Sequence, residues 1–490
     1  MNTNEFKEKI KKGINAISKF MDTMYFAIVL VCIELFCYFL ELDLITILTV
    51  SFFITFALLF KKNLNCLLVI FLTMGSIISL GKSPGNIPLK SLYYFQPSVY
   101  MTCIVAAGVP VIIATVKGIR NCVKQEFKST PLLISIFVLC LTFLINGIFS
   151  DTYRPLDALF GVFMVFFFGI LFLAIIPGMK INRNTLLGIS RQIAIYAFVP
   201  IIELAVYYIK NFADGMSLDT RTMIFLGWGN RNTIGLVFLL CLCFIIALIK
   251  YEPNKGIRIG GCVVGVLTIV GIVFSFSRQA YVCGGVLAVA YLVYALFHSE
   301  GKKKICCIVS VGTITAGIVV TFIILFINGF FETITMDNLI TFGDGRIYLW
   351  GKALEVFKDN PIFGGGFYYL GGDPKVQLDN IMPLCCHNTI LQMMSACGLF
   401  GLLAYLGYRA VTIRIALKNF DSYKLYPILG VGVILITSLL DIHLFDLFGS
   451  SFYAILLAMA MSPKGEDSEK KDEPSIDNEK DSNEVCLCAD

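Results

Sequence analysis

Only three histidines occur among 490 residues, and one of them, His387, heads the run Cys386-His387-Asn388-Thr389-Ile390-Leu391-Gln392 that continues to Gly398 and Gly401. An imidazole titrates near neutral pH and can take a proton from a hydroxyl, so His387 is the candidate general base. Arginines recur in segments expected on the same side of the chain: Arg221, Arg231, Arg278 and Arg346. A guanidinium meets phosphate oxygens through a planar pair of N–H donors and keeps its charge, so such a set suits a diphosphate. The outward segments contain no Asp-x-Asp pair to hold a divalent cation, and no Walker lysine or Rossmann glycine spacing occurs. Neither a metal, a cofactor nor a nucleic-acid partner is therefore expected.

These residues stand at the ends of apolar runs. Gly227-Trp228-Gly229-Asn230-Arg231-Asn232-Thr233 precedes one run, where Asn232 could cap the helix that follows. Ser275-Phe276-Ser277-Arg278-Gln279 interrupts about forty apolar residues as a tight turn, and a charge there is costly unless it has a task. Gly345-Arg346 and Trp350 open a short helix to about Lys358; Asn360-Pro361 ends it, and Gly364-Gly365-Gly366 permits sharp turns or close approach to a ligand. Asn388 follows the histidine directly at the start of another apolar run.

The runs define the environment. With 57% hydrophobic and only 15% charged residues, the composition is that of an integral membrane protein. Apolar stretches long enough to cross about 30 Å of hydrocarbon as helices recur almost from end to end. The expected fold is all-α and polytopic, with about 14 (12–14) transmembrane helices near 23–41, 44–60, 64–81, 99–116, 131–149, 156–177, 190–209, 232–249, 259–276, 280–298, 304–327, 389–408, 425–440 and 447–462. Residues 1–462 form one membrane domain. With the N-terminus inside, the inward segments carry 24 Lys and Arg and the outward ones 11, the asymmetry expected of a cytoplasmic and an extracytoplasmic side. Both termini are then cytoplasmic, and the two long loops, about 210–231 and 328–388, lie outside with the candidate chemistry. Residues 463–490, with ten Asp and Glu against four Lys, read as a disordered acidic cytoplasmic tail. The seventeen cysteines are scattered or adjacent, a pattern of apolar fillers rather than of disulfides or zinc.

Taken in order, Asn230-x-Asn232, Ser277-Arg278, Gly345-Arg346 with Trp350, Asn360-Pro361 with Gly364 and Gly366, and His387-Asn388 with Leu391, Gly398 and Gly401 resemble the O-antigen ligase and polymerase family over roughly residues 220–410. The resemblance implies a GT-C-like membrane glycosyltransferase of the bacterial cytoplasmic (inner) membrane that works without metal at the outer face. Its donor would be an undecaprenyl-diphosphate-linked glycan, and its acceptor a glycan, lipid or wall polymer. It implies that His387 is the base, that Arg221, Arg278, Arg346 and Arg231 hold the diphosphate or order the site, and that Asn232, Asn388, Trp350, Gly364 and Gly366 support them. Two positions depart from the family pattern. Arg231 stands where Pro is common, and Ala396 where many members place Glu, which leaves the group that orients His387 unassigned. The alternative reading is a lipid-linked oligosaccharide flippase, which would gather its cations in a central cavity rather than beside outward loops.

Overall fold

The computed structural model describes residues 3–40, 43–78, 97–124, 129–151, 153–213, 231–298, 301, 346–367 and 386–463. Arg221, the expected span 304–327, most of the loop 328–388 and the acidic tail beyond Pro463 lie outside the described residues. Among those described, the regular elements are helices without strands. The first group is α1 (Thr3–Phe20), α2 (Met24–Leu40), α3 (Asp43–Phe60), α4 (Leu67–Ile78), α5 (Pro97–Val123), α6 (Thr130–Leu144) and α7 (Pro155–Val165). After α7 the same run passes through a wider π turn, Phe166–Leu171, and ends near Gly178. Next come α8 (Arg183–Tyr196), α9 (Phe198–Ala213), α10 (Arg231–Tyr251), α11 (Lys255–Phe274) and α12 (Arg278–His298). The last are α13 (Arg346–Asp359), α14 (Thr389–Lys418), α15 (Leu425–Thr437) and α16 (Leu447–Met461).

Six of the described helical runs are long and apolar enough to cross a membrane, seven if α1 and α2 count as one bent span, and four shorter apolar helices accompany them. The all-helical membrane architecture is as expected; the expected number of about fourteen crossings is not confirmed. Several boundaries move outward from the expected ones, because helices continue through charged residues that hydropathy alone assigns to loops. α8 begins at Arg183, so Arg191 is helical and its guanidinium donates to both carboxylate oxygens of Glu252 at 2.7 and 2.9 Å. α14 runs on to Lys418, where Arg409 is buried with its guanidinium 4.6 and 4.2 Å from the rings of Tyr405 and Tyr453. Aromatic faces attract a cation, which makes an in-membrane arginine tolerable.

α10 is the axis of the bundle. It is apolar around its whole circumference, and almost every residue from Ile234 to Leu248 is buried, as such a helix requires. It packs against α8, α11, α12 and α15. Its two ends define the two faces of the molecule, about 30 Å apart for its 21 residues. At its start, Asn232 donates to Asp441 in the α15–α16 connection. At its end, the Tyr251 carbonyl accepts from Arg183, and the Tyr251 ring packs on Tyr423 and Tyr426.

Candidate functional site

The site forms at the α10-start face, where α10, α12 and α14 begin and the connection 438–446 joins α15 to α16. Asn388 caps α14, its Oδ1 accepting from the backbone N–H groups of Ile390 and Leu391 at 2.9 and 3.1 Å. Its Nδ2 donates to the Leu439 carbonyl at 3.1 Å, and the N–H of Thr389 donates to Ser438 at 2.9 Å. One capping residue thus starts the helix and fastens the 438–446 connection against it. Immediately before the cap, His387 adopts a left-handed backbone (φ 50°), unusual for a residue with a side chain.

That backbone turns the imidazole onto Asp441. His387 Nδ1 lies 2.7 Å from Asp441 Oδ1, with the histidine side chain 33% exposed and the aspartate 6%. Asp441 Oδ1 also accepts the N–H of Ile442 at 2.9 Å, and Oδ2 accepts from Asn232 Nδ2 at 2.8 Å. Burial pushes this carboxyl up, but the hydrogen bond from His387, the charges of His443 and His387 and the Ile442 N–H together outweigh it. Asp441 is therefore held well below the usual carboxylate range and stays ionised. A carboxylate at Nδ1 fixes the proton there and leaves Nε2 as the basic lone pair.

Asn232 is itself held from behind. Its Oδ1 accepts from Ser277 Oγ at 3.1 Å and its carbonyl from Gln279 Nε2 at 3.1 Å. Gly235 permits this closeness, since a Cβ there would lie 2.7 Å from Ala280 and 2.9 Å from Ser277. Asn232 thus lies within the first turn of α10 rather than before it, and its side chain bridges the α12 start to Asp441 instead of serving as the expected cap. Gln279 Nε2 also lies 2.6 Å from Nε2 of buried His443, whose Nδ1 is 3.2 Å from Asp446. Burial pushes His443 down, but Asp446 and Asp441 raise it above the ordinary histidine value, against the opposing charge of Arg346.

Beneath the histidine, Trp350 Nε1–H donates to the Cys386 carbonyl at 2.8 Å, and the Cys386 N–H donates to Gln392 at 3.1 Å. Leu349, Trp350, Ala353, Cys386 and Leu391 form a small apolar cluster that docks α13 under the His387 segment. Arg231, Arg278 and Arg346 occupy the first positions of α10, α12 and α13. Arg231 and Arg278 adjoin Asn232 and Ser277 in sequence, which brings both to the Asp441 end; Arg278 is exposed there. Arg346 Nε is buried and has no hydrogen-bond partner among the described residues. Gly364 and Gly366 have φ of 74° and 94° and are buried. They tie the segment after α13 to a break in α14 at Gly398 (φ 67°), where Gly365 and Gly366 donate to the carbonyls of Ser395 and Ala396 at 2.8 and 3.1 Å. A Cβ on Gly366 would lie 2.7 Å from the Asp157 carboxylate. The neighbours of these two glycines are thus protein backbone and a buried acid.

Sequence reasoning missed Asp441. Its one signal was the pair of acids around His443 in the last connection between apolar runs, Asp441-Ile442-His443-Leu444-Phe445-Asp446. The carboxylate beside His387 comes from another helix connection, and Ala396 itself is fully buried beneath Gly364.

An all-helical integral membrane protein with a histidine–carboxylate pair and arginines at one end of its bundle is the class these features define. Residues 263–406 match the family model described as O-antigen ligase. The match contains Arg278, Arg346, Trp350, Gly364, Gly366, His387 and Asn388, and stops short of Asp441. No curated protein matches the chain. The family implies a glycosyltransferase-type membrane enzyme acting on lipid-linked glycans.

Proposed function

We propose that this chain is a metal-independent, inverting glycosyltransferase of GT-C type. It moves a glycan from an undecaprenyl-diphosphate carrier to an acceptor hydroxyl at the outer face of the bacterial cytoplasmic membrane, as a ligase or a polymerase of surface polysaccharide. The observation that carries the reading is the 2.7 Å pairing of His387 Nδ1 with ionised Asp441, which leaves Nε2 free to act as a base on a partly exposed side chain.

In the proposed reaction His387 Nε2 takes the proton from the acceptor hydroxyl as its oxygen bonds to the anomeric carbon. The bond from that carbon to the carrier phosphate breaks on the opposite face, so configuration inverts and undecaprenyl diphosphate departs with the electron pair. Asp441 stabilises the imidazolium that forms. Arg278, Arg346, Arg231 and Arg221 offset the charge growing on the leaving diphosphate, an effect enlarged where water is partly excluded. The buried Nε–H of Arg346 supports this role, because a phosphate oxygen would supply its acceptor. The surplus of basic residues on the opposite face supports an extracytoplasmic site.

Reconstitution of the purified protein with a defined undecaprenyl-diphosphate glycan and candidate acceptors, with mass analysis of products, tests the reading. Transfer by the wild type with inversion, and its loss in His387→Ala, is expected. Transfer by His387→Ala at the wild-type rate would overturn the assignment.

A further inference from the structure

On the face opposite His387, the end of α3, the end of α5 and the turn before α8 enclose a cavity of about 570 Å³. The Leu64 N–H donates to the Gly178 carbonyl at 2.9 Å and Asn65 Nδ2 to the Lys180 carbonyl at 2.6 Å, which fixes the two loops against each other. Five cations line the cavity, Lys61, Lys62, Lys117, Arg120 and Lys180, and among the described residues no acid does. Lys61 is held by Asp22 at 2.8 Å and by the Ser18 carbonyl at 2.7 Å, and Lys117 by the Leu58 carbonyl at 3.0 Å. Lys62, Arg120 and Lys180 are exposed. The rest of the lining is largely apolar, and its outer wall, with Ile112 64% and Val116 62% exposed, lies on the lipid-facing side of α5. A cationic end continuous with an apolar wall matches a molecule with an anionic head and a hydrocarbon tail.

A second observation places the same face at a membrane surface. α1 leaves α2 at 81°, so when α2 crosses the bilayer α1 lies along it. Phe6, Ile10 and Ile17 are exposed along one side of α1 at helical spacing, while Lys7, Lys9, Lys11, Lys12 and Lys19 occupy the other sides. That is the pattern of an interfacial helix with its apolar stripe in the acyl region and its lysines among anionic headgroups. The Lys61 contacts to Ser18 and Asp22 join this helix directly to the cavity.

We propose that the cavity binds the phosphodiester headgroup of an anionic phospholipid, with one acyl chain along Ile112 and Val116. The site stands a full helix length from His387 and serves no step of the transfer reaction. It anchors α1, α3 and α5 to the leaflet that is rich in anionic lipid.

The test uses the full chain in nanodiscs. Retained lipid is counted by native mass spectrometry, and Tm is followed as phosphatidylglycerol replaces phosphatidylcholine. The wild type is expected to retain phosphatidylglycerol and to gain Tm with it. The exposed-charge variant Lys62→Gln/Arg120→Gln/Lys180→Gln should bind at least about tenfold more weakly, since each cation near an anionic surface contributes roughly fivefold. Lys250→Gln/Lys255→Gln, on the same face outside the cavity, should bind as the wild type does. If the triple variant fails to fold, photocrosslinking of wild-type protein with an azido-phosphatidylglycerol should label peptides 112–120 and 177–180. Equal binding by the triple variant, equal binding of phosphatidylcholine, stabilisation by inorganic phosphate alone, or labelling elsewhere would each overturn the proposal.

Discussion

His387 and Asp441 stand 54 residues apart in the chain and 2.7 Å apart in space. The pairing sets the reactive nitrogen, so the two residues should fail differently. His387→Ala removes the base, and transfer should fall by about 10²–10⁴-fold while the protein remains inserted and folded, read by product mass and by gel filtration. Asp441→Asn preserves shape but no longer fixes the Nδ1 proton, and transfer should fall by about 10²-fold or more with substrate KM little changed. Asp441 also makes a pH prediction. Its folded value is depressed, so its stabilisation is fully present above the ordinary carboxylate value near about 4 and is lost only as pH falls through the lower folded value. The Tm difference between wild type and Asp441→Asn should therefore not shrink between neutral pH and about pH 5, where protonation of His443, raised by Asp441, adds to it, and should shrink at lower pH as Asp441 itself is protonated; a difference that shrinks already between pH 7 and 5 would contradict the assignment.

α14 is the element whose geometry decides the site. It starts at the Asn388 cap, breaks at Gly398 and receives the Pro361–Phe367 segment in the break, with Leu399 and Phe400 donating to the carbonyls of Pro361 and Ile362 at 2.8 and 3.1 Å. Gly366→Ala would place a Cβ against the Asp157 carboxylate at φ 94°, and should cost about 1–3 kcal/mol from backbone strain alone, seen as a lower Tm in detergent. Gly407, in the helical half of α14, has nothing near its would-be Cβ, so Gly407→Ala should leave Tm unchanged or raise it. Asn232→Ala belongs at this scale too. It leaves a buried oxygen of Asp441 without its donor and loosens α10 from the 438–446 connection, which should cost about 1–3 kcal/mol and lower transfer together with stability.

Across the whole molecule the two faces differ in charge and chemistry. One carries His387, Asp441 and the helix-start arginines; the other carries the basic cavity, Arg183, Lys418 and buried Lys424, whose ammonium is taken up by the carbonyls of Asn419, Ser462 and Pro463. If the positive-inside rule sets the orientation, a cysteine substituted at exposed Arg278 should react with a membrane-impermeant maleimide in intact cells, and one at Lys62 only after permeabilisation. The opposite result would reverse the orientation proposed for the site. The stretch matched to the O-antigen ligase family ends at residue 406, yet the carboxylate that orients its histidine comes from beyond it, carried back by the α15–α16 connection.

Composition and hydropathy were sufficient for the membrane class and the helical fold, because burying a backbone in hydrocarbon leaves few alternatives to the helix. Residue type and local order drew attention to His387, Asn388 and Arg278 at the ends of apolar runs and to Arg346 and Trp350 at the start of a short helix between runs. Helix ends were misread where charges are buried against partners remote in sequence, as with Arg409 on Tyr453 and Arg191 on Glu252. Asp441 was missed for the same reason. A hydrogen bond depends on where two helix connections meet, and that meeting is decided by the packing of α10, α14 and α15, which no local spacing records.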